Sequence, residues 1–287
     1  MNGGRCPAND IISSFDRGWV LKTFFMVLFV LPAFSLFLPP PSYAATMRIS
    51  APKIELELAP GETYSGEIVA ENPEDEAINC RIYLEDWEYI TNGTGEKKFA
   101  PAGTMPLSAS KWISFAPATS DIPSFGRITA RYTITVPPDA KGTYFAVLFF
   151  ETILGSSQDE DGVSVLVAGR IGSLFFITIK DTARREGDVR SVEIKAPEGS
   201  RPMEITTVFK NTGNTDITLG GNFLILDGTG KVMGRGDISK IYTFPGAEGT
   251  RTTQWIGKLP PGDYTLLITY DLGKGQTLVE EQPLKIQ

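Results

Sequence analysis

The sequence predicts an all-β chain that folds as two β-sandwiches in tandem after a signal peptide. From residue 46 onward, short runs of alternating apolar and polar residues recur, and Pro, Gly and Asn separate them. No window of about 12 residues or more carries a helical period, so helices are not expected. The order of runs and turns also repeats along the chain, which indicates two sandwiches of similar topology.

The N-terminal segment, residues 1–44, is expected to be a cleaved signal peptide. Lys22 precedes the apolar run 24–38, and Ser42-Tyr43-Ala44 has small residues at the positions that signal peptidase reads. The alternative is an uncleaved membrane anchor. For a spanning helix, however, a run of about 15 apolar residues interrupted by Pro32 is short.

The leader and the cysteine content bear on where translation starts and on the compartment of the protein. Residues 1–19 form a long polar leader, which favours a true translation start near Val20. Cleavage after Ala44 leaves Cys80 as the only cysteine, so no internal disulfide is expected, and no stable membrane span remains. Cys80 shares the strand face of Ile82 and is expected to be a buried free thiol. The protein is therefore placed in the periplasm or outside the cell.

Two pairs of segments carry the internal repeat. VAENPEDEAINCRIYL and VFKNTGNTDITLGGNFLI both consist of a strand, a turn with Asn, and a second strand. VPPDAKGTYFAVLFF and LPPGDYTLLITYD both consist of Pro-Pro, a polar turn, and a Tyr that opens an apolar strand. We expect an N-terminal immunoglobulin-like sandwich over 46–180, a charged hinge at 181–190, and a C-terminal immunoglobulin-like sandwich over 187–287.

The composition argues against several classes of function. The chain has no histidine, which removes the commonest general base, the usual zinc ligand and the Ser–His–Asp triad. Its net charge is −7 and it has no basic cluster, so nucleic acid is not an expected partner. The sequence also lacks a phosphate loop, zinc-ligand spacing and a nucleophile elbow. We therefore expect a protein that is not an enzyme and that uses no metal and no cofactor.

Two acidic clusters are the candidates that come nearest to a catalytic or metal site. In LEDWEYI, alternation places Asp86 and Glu88 on one strand face and Glu85 on the other, which is typical of a solvated strand end. In SSQDEDG, residues 156–162, the three adjacent acidic residues lack the regular spacing of calcium ligands. We therefore favour a solvated strand end and a solvated loop.

The stretch GVSVLVAGRIGSLFFITIK, residues 162–180, predicts one β-strand of unusual length. At ~3.3 Å per residue it would span about 60 Å, whereas typical strands have about 5–6 residues. Its odd positions form a nearly continuous apolar face. We expect its first half to be a bare edge, which proteins avoid unless another chain pairs with it. The alternative is a break at Gly169 or Gly172 into two ordinary strands.

The strand before it, TYFAVLFFETIL, is apolar on both faces. Such a strand is expected to be central in its sheet and covered on both sides, although one side could instead be a binding surface. Trp87, Trp112 and Trp255 follow apolar alternation and are expected to fill the cores.

The two-sandwich layout, with a long last strand in the first sandwich, resembles the periplasmic pilus-assembly chaperones, the PapD-like family. The resemblance implies that alternating apolar residues of this strand insert into a groove of a subunit. It also implies that a basic residue of opposite parity binds the subunit's C-terminal carboxylate. The matching positions are Val163, Val165, Val167 and Arg170. In that family a second basic anchor lies on the first strand, where the candidates here are Lys53 and Arg48.

Residues 50–152 also resemble the peptidoglycan-binding domain of the WxL-interacting surface proteins. The segments that carry this resemblance are LELAPGETYSGEIVAENPEDEAINCRIYLEDW, ASKWISFAP and VPPDAKGTYFAVLFFE. We therefore expect a chaperone or adaptor of the cell envelope that binds an exported pilin-like or surface protein by strand addition along 163–180. The alternative is a module of a cell-surface complex that binds peptidoglycan, another glycan or a surface protein.

Overall fold

The computed structural model describes residues 47–158, 164–198 and 200–287. The predicted signal peptide and the polar stretch 1–19 therefore lie outside the described residues. Within those three segments the regular structure consists of 18 β-strands and one short 3-10 turn at Ser110–Trp112, with no α-helix. None of the described segments forms a helix that is long and apolar enough to cross a membrane. The all-β prediction is confirmed.

The first ten strands form two sheets. Sheet 1 has the order β1-β3-β8-β6, and sheet 2 has the order β2-β10-β9-β4-β5 with β7 also paired to β4. The strands are β1 Arg48–Ile49, β2 Lys53–Leu58, β3 Thr63–Glu71, β4 Ile78–Tyr89, β5 Lys97–Pro101, β6 Ile113–Ala116, β7 Thr119–Ile122, β8 Arg127–Thr135, β9 Thr143–Gln158 and β10 Ser164–Ile179.

The last eight strands form two further sheets. Sheet 3 has the order β11-β12-β16, and sheet 4 has the order β14-β13-β17-β18 with β15 also paired to β13. The strands are β11 Gly187–Lys195, β12 Met203–Asn211, β13 Ile217–Asp227, β14 Val232–Asp237, β15 Ile241–Thr243, β16 Glu248–Trp255, β17 Gly262–Gly273 and β18 Gln276–Ile286. Since β11 begins at Gly187, the connection without strand structure is 180–186, within and before the predicted hinge.

Each pair of sheets encloses a core that the alternating pattern of its strands supplies. In the first sandwich Ile68 and Ile134 of sheet 1 meet Leu148, Phe150 and Phe175 of sheet 2, and all are buried. The second sandwich has a separate core, with Ile205, Phe209, Phe223, Ile225, Leu266, Ile268 and Tyr270 fully or almost fully buried. Cys80 is a free cysteine in the first core, as expected, and burial raises the pKa of its thiol to about 11.

Strand β9 is buried on both faces over residues 145–150. Ala146, Leu148 and Phe150 point into the first core, while Phe145, Val147 and Phe149 belong to a second cluster on the outer face of sheet 2. We call this second cluster the junction cluster; its buried members are Trp87, Phe145, Val147, Phe149, Phe176 and Phe244. The predicted central position of β9 is confirmed.

The junction cluster joins the two sandwiches, because Phe244 comes from the second one. The Phe244 ring lies 4.1 Å from that of Phe145 and 5.2 Å from that of Trp87, between ring centroids. Trp87 was expected to fill a sandwich core. It lies instead on the opposite face of sheet 2, because β4 alternates between the first core and this junction.

The repeat seen in the sequence has a physical counterpart in two buried asparagines. Asn72 donates from Nδ2 to the carbonyl of Glu76 at 2.7 Å, and its Oδ1 accepts the N–H of Glu74 at 3.1 Å. Asn211 makes the same two bonds, to the carbonyl of Thr215 at 2.9 Å and from the N–H of Gly213 at 3.0 Å. The two turns therefore share one hydrogen-bond pattern.

Strand β10 is continuous over 16 residues, so the expected alternative of a break at a glycine is wrong. The two glycines instead make room for neighbouring side chains. A Cβ at Gly172 would lie 2.7 Å from Val147 and 2.8 Å from Phe149, and one at Gly169 would lie 2.9 Å from Leu154. The only register shift between β9 and β10 falls between Val167 and Ala168.

The replacement Asn72→Ala is expected to lower the free energy of unfolding by about 2–4 kcal/mol, because it leaves buried carbonyls without a donor. Asn72 is 1% exposed and its Nδ2 also reaches the carbonyls of Ile122 and Pro123. Urea unfolding measures the change. The matched control is Asn79→Ala, an exposed asparagine bonded to Asp121 at 2.8 Å, which should cost about 0.5 kcal/mol or less. Equal losses in both variants would contradict the prediction.

Candidate functional site

The hairpin of β9 and β10 extends beyond the rest of sheet 2. Strand β4 pairs with β9 only as far as Thr152, opposite Cys80. Beyond Thr152, β9 and β10 are paired with each other and with no other described strand. We call this two-stranded extension, residues 153–158 and 164–168, the arm. Ile153 is 63% exposed and Leu166 is 66% exposed, so the arm presents apolar side chains to solvent.

The edge of β10 that does not pair with β9 is covered by another strand only beyond Ser173. From Leu174 to Ile179 it is covered by β2, which runs parallel to it from Lys53 to Leu58. Ser173 Oγ donates to the carbonyl of Ala51 at 2.6 Å, where this cover ends. Over 164–172, no strand within the described part of the chain pairs with this edge. We call these nine residues of β10 the open edge.

The predicted apolar contact residues lie at the far end of this edge. Val163 is outside the described residues. Val165 lies in β10 opposite Ser157, and Val167 lies opposite Gly155 and is 47% exposed. Val167 has the parity of Ile171, which packs against the first core. The three acidic residues of the loop that was considered for calcium, 159–161, also lie outside the described residues.

Arg170 lies on the other face of β10 and is held there by several groups. Its Nη1 donates to Glu85 Oε1 at 3.1 Å and to the hydroxyl oxygen of Tyr83 at 3.2 Å. Its guanidinium carbon lies 4.1 Å from the ring centre of Phe149 and 5.4 Å from that of Phe99. The hydrogen bond to Tyr83 and the charge of Glu85 raise the pKa of Arg170 against the effect of its partial burial. The guanidinium is therefore fixed in position and already has a carboxylate beside it.

Lys53 shares the face of Arg170, and Arg48 does not. Lys53 starts β2 opposite Leu174, and its ammonium lies 4.4 Å from the ring centre of Phe176. Phe176 and the Phe149 beneath Arg170 belong to the same junction cluster. Leu174 is four residues from Arg170, a distance of about 13 Å along the strand. Arg48 lies in sheet 1, opposite Glu71, so the two sequence candidates for the second anchor are on different sheets.

Sequence reasoning did not find the partners of Arg170, which come from three other strands. Glu85 and Tyr83 lie on β4, Phe149 on β9 and Phe99 on β5. A signal was present in the parity of LEDWEYI, which places Glu85 on the face opposite Asp86. That the face of Glu85 is also the face of Arg170 depends on the registers of β4, β9 and β10.

Asp86 was expected at a solvated strand end, and this is wrong. It is 1% exposed, and its carboxylate accepts hydrogen bonds from the hydroxyls of Ser108 and Ser110 at 2.5 and 2.6 Å. It also accepts the backbone N–H groups of Thr104 and Met105 at 2.8 and 2.9 Å. Burial alone would raise its pKa, but these donors outweigh burial and lower it. The carboxylate therefore holds the 104–110 segment in place, and its donors leave it fully occupied.

Comparisons with known proteins find likeness in solved structures alone, since no family model and no curated protein matches the chain. Several similar structures are fimbrial chaperones. One is the class 5 fimbriae chaperone CfaA, with 14% identity, a TM-score of 0.44, and coverage of 83% of this chain and 99% of that one. Another is the Salmonella enterica complex of the SafA pilin with the SafB chaperone, with 11% identity, a TM-score of 0.40, and coverage of 86% and 100%.

A third is the CsuC–CsuE chaperone and tip subunit complex of Acinetobacter baumannii, with 13% identity, a TM-score of 0.41, and coverage of 83% and 98%. At these identities and TM-scores the likeness concerns the arrangement of strands, and it assigns no function to this chain. Peptidoglycan binding has no support in these comparisons.

The replacement Asp86→Asn is expected to destabilise the fold by about 2–3 kcal/mol at pH 7, because it removes a charge that accepts four hydrogen bonds. The folded-state pKa of Asp86 lies below 3.8, so its contribution is present above that pH and is lost as the pH falls through the folded-state value. Thermal unfolding from pH 7 to pH 2.5 should show the gap between wild type and variant closing at the acid end. The exposed Asp121→Asn serves as control; a gap that does not change with pH would contradict the assignment.

Proposed function

We propose that the protein is a chaperone or adaptor of the cell envelope, without enzymatic activity, that binds another exported protein by adding a strand to β10. The observation that carries the proposal is the open edge, residues 164–172. A strand that is paired on one side only presents a row of free backbone N–H and C=O groups to another chain. Strand β2 covers the same edge of β10 from Leu174 onward. The open edge therefore ends where the cover supplied by the chain itself begins.

The open edge also lacks the features that protect other edges of this chain. Strand β2 has Lys53, Glu55 and Glu57 on its edge, and β18 has two glutamates, Pro283 and Lys285. Charges and proline on an edge discourage pairing with other chains. The open edge has one charged residue, Arg170, and its guanidinium is turned onto Phe149. No charged side chain along the open edge therefore opposes its pairing with an apolar strand of another protein.

The proposed partner strand would continue the line of β2 along the same edge of β10. Its end nearest the sandwich junction would meet Pro52 and Lys53, because β2 begins there. Lys53 and Arg170 are two of the cations on the outer face of sheet 2. They fit the proposal that the partner's terminal carboxylate is held here, as the resemblance to pilus-assembly chaperones implies. Glu85 is then a competitor for Arg170, since it already occupies the guanidinium.

The replacements Leu166→Asp and Val167→Asp are expected to reduce recovery of the partner about tenfold or more, because each places a charge where an apolar strand would be buried. The tagged protein is purified from the envelope of its own cells, the partner is identified by mass spectrometry, and its binding is then measured with both purified proteins. Both side chains are largely exposed, so folding should be unchanged.

The matched control for these variants is Val279→Asp on β18 of the second sandwich, a valine whose 59% exposure lies between those of Leu166 and Val167. Strand addition further predicts that the partner slows amide hydrogen exchange over residues 164–172. Unchanged affinity in both arm variants would overturn the proposal. So would protection that falls elsewhere, or retention of the purified protein on peptidoglycan in place of a protein partner.

The replacement Glu85→Gln is expected to strengthen partner binding several-fold, because Arg170 is then free for the partner's carboxylate. Arg170→Gln should weaken it about tenfold, in line with the loss of a charge-assisted hydrogen bond. Glu88→Gln, which removes the exposed pair with Lys98 at 3.6 Å, is the control and should have no effect. If Glu85→Gln and Arg170→Gln both leave the affinity unchanged, Arg170 is not an anchor, and strand addition would have to rest on the backbone alone.

A further inference from the structure

The outer face of sheet 4 carries an apolar patch that is open to solvent. Leu224 on β13 lies directly opposite Leu267 on β17, and both point away from the second core, because their neighbours along each strand are buried core residues. Toward the edges of the sheet, Val232 is 48% exposed and Val279 is 59% exposed. We call this face the sheet-4 patch. Its apolar members are Leu224, Leu226, Val232, Leu267, Val279 and Pro283.

The outer faces of the other three sheets are polar or already covered. On sheet 1 the hydroxyl oxygens of Ser65 and Thr133 are 3.0 Å apart. On sheet 3 those of Thr206 and Thr252 are 2.9 Å apart. The outer face of sheet 2 is covered by the second sandwich at the junction cluster. Among the described residues, an open sheet face with two leucines at its centre is therefore found on sheet 4, and exposed apolar patches of this kind mark interaction sites.

Both edges of sheet 4 are protected against pairing with another strand. Strand β14 has Arg235 and Asp237 on one edge, and β18 has Glu281, Pro283 and Lys285 on the other. Charges and proline at such positions discourage strand addition. A contact made by this sheet is therefore expected to use its face and not its edges.

The central row of the patch has a cation at one end and an anion at the other. Strand register places Arg235, Leu224, Leu267 and Glu281 side by side across β14, β13, β17 and β18. Arg235 and Glu281 are exposed, and neither side chain has an ion-pair or hydrogen-bond partner among the described residues. Three strand spacings, about 14 Å, separate them, so they cannot pair with each other within one chain.

We propose that the sheet-4 patch packs face to face on the same patch of a second copy of the chain, around a two-fold axis that runs along the strands. This axis reverses the order of the strands and keeps each row in place. Leu224 then faces Leu267 of the second copy, and Arg235 faces Glu281 of the second copy. Sheets that pack in this way lie about 10 Å apart, a distance that an arginine and a glutamate span together.

The charges select both the occupant and the axis. The patch requires a surface with an apolar centre and with an anion and a cation in the reverse order, and its own two-fold copy is such a surface. A two-fold axis across the strands would instead place Arg235 on Arg235 and Glu281 on Glu281, and like charges at a contact are costly. The contact goes beyond strand addition and does not depend on it, because the arm belongs to the first sandwich.

The size of the patch predicts a weak dimer. Its four strands span about 14 Å, and small interfaces of this kind belong to transient contacts. We therefore expect a dissociation constant of about 1–100 µM. Because the patch of each copy is used up by the other, association should stop at the dimer.

The first test is sedimentation equilibrium of the purified protein over a concentration series that extends to several hundred micromolar. Arg235→Glu and Glu281→Arg should each raise the dissociation constant of the dimer about tenfold or more, because each sets like charges against each other. Both side chains are exposed, so folding should be unchanged. The matched control is Glu193→Arg, which reverses an exposed glutamate opposite Thr206 on sheet 3 and should leave the constant unchanged.

The second test is the charge swap. The double variant Arg235→Glu with Glu281→Arg should restore the dissociation constant to within about threefold of wild type, because the reversed row is again complementary to its two-fold copy. The two positions are too far apart to pair within one chain, so the rescue reports on contact between two copies. Val279→Asp, the control for the arm variants, should weaken the dimer and leave partner binding unchanged.

The outcomes that overturn the proposal are distinct from failure of strand addition. A protein that stays monomeric at every concentration overturns it. So does a dimer that the single charge reversals leave unchanged, or that the charge swap does not restore. A dimer that is lost in Leu166→Asp and kept in Arg235→Glu would assign self-association to the arm, which also overturns it. Partner affinity measured with Arg235→Glu should equal that of wild type, so each proposal can fail without the other.

Discussion

Sheet 2 is apolar on both faces, and the rest of the structure depends on this constraint. Its inner face is covered by sheet 1, which makes the first core. Its outer face must also be covered, and Phe244 of the second sandwich covers it at the junction cluster. Since burial of apolar area is the main favourable term in folding, the two sandwiches are joined by the same effect that folds each of them. The connecting segment adds hydrogen bonds to the second sandwich, from Arg185 to the carbonyls of Asp216 and Leu272 and between Arg184 and Asn214.

The same outer face holds the charged residues of the candidate site. The rings of Phe149 and Phe176 on this face are covered by the cations of Arg170 and Lys53. A cation over an aromatic ring keeps apolar surface from water while its charge stays accessible. The two cations therefore both complete the cover of sheet 2 and stand beside the open edge. Structural and proposed binding roles therefore coincide there.

The features of the fold that could be predicted are those that depend on the residues of a single strand. Alternation along single strands predicted the all-β class and the two-sided burial of β9, because strand parity needs no knowledge of neighbours. It did not predict that Trp87 lies in the junction or that Asp86 is buried. Both outcomes depend on what covers a given face of β4, and the covering residues, Phe244 and the 104–110 segment, are distant in sequence or in a loop. The continuity of β10 likewise depended on Phe149 and Leu154, which occupy the space that its glycines leave.

The sequence by itself determined the strand class, the internal repeat, the free buried cysteine and the position of an unusually long strand, since these follow from residue type and period. The tertiary structure decided which part of β10 is an edge, because that depends on where β2 begins. It also decided that Arg170 is paired with Glu85 and that Asp86 is buried. Pairing between distant strands and the burial of one strand face are set by contacts across the fold. A pattern along one strand cannot contain them.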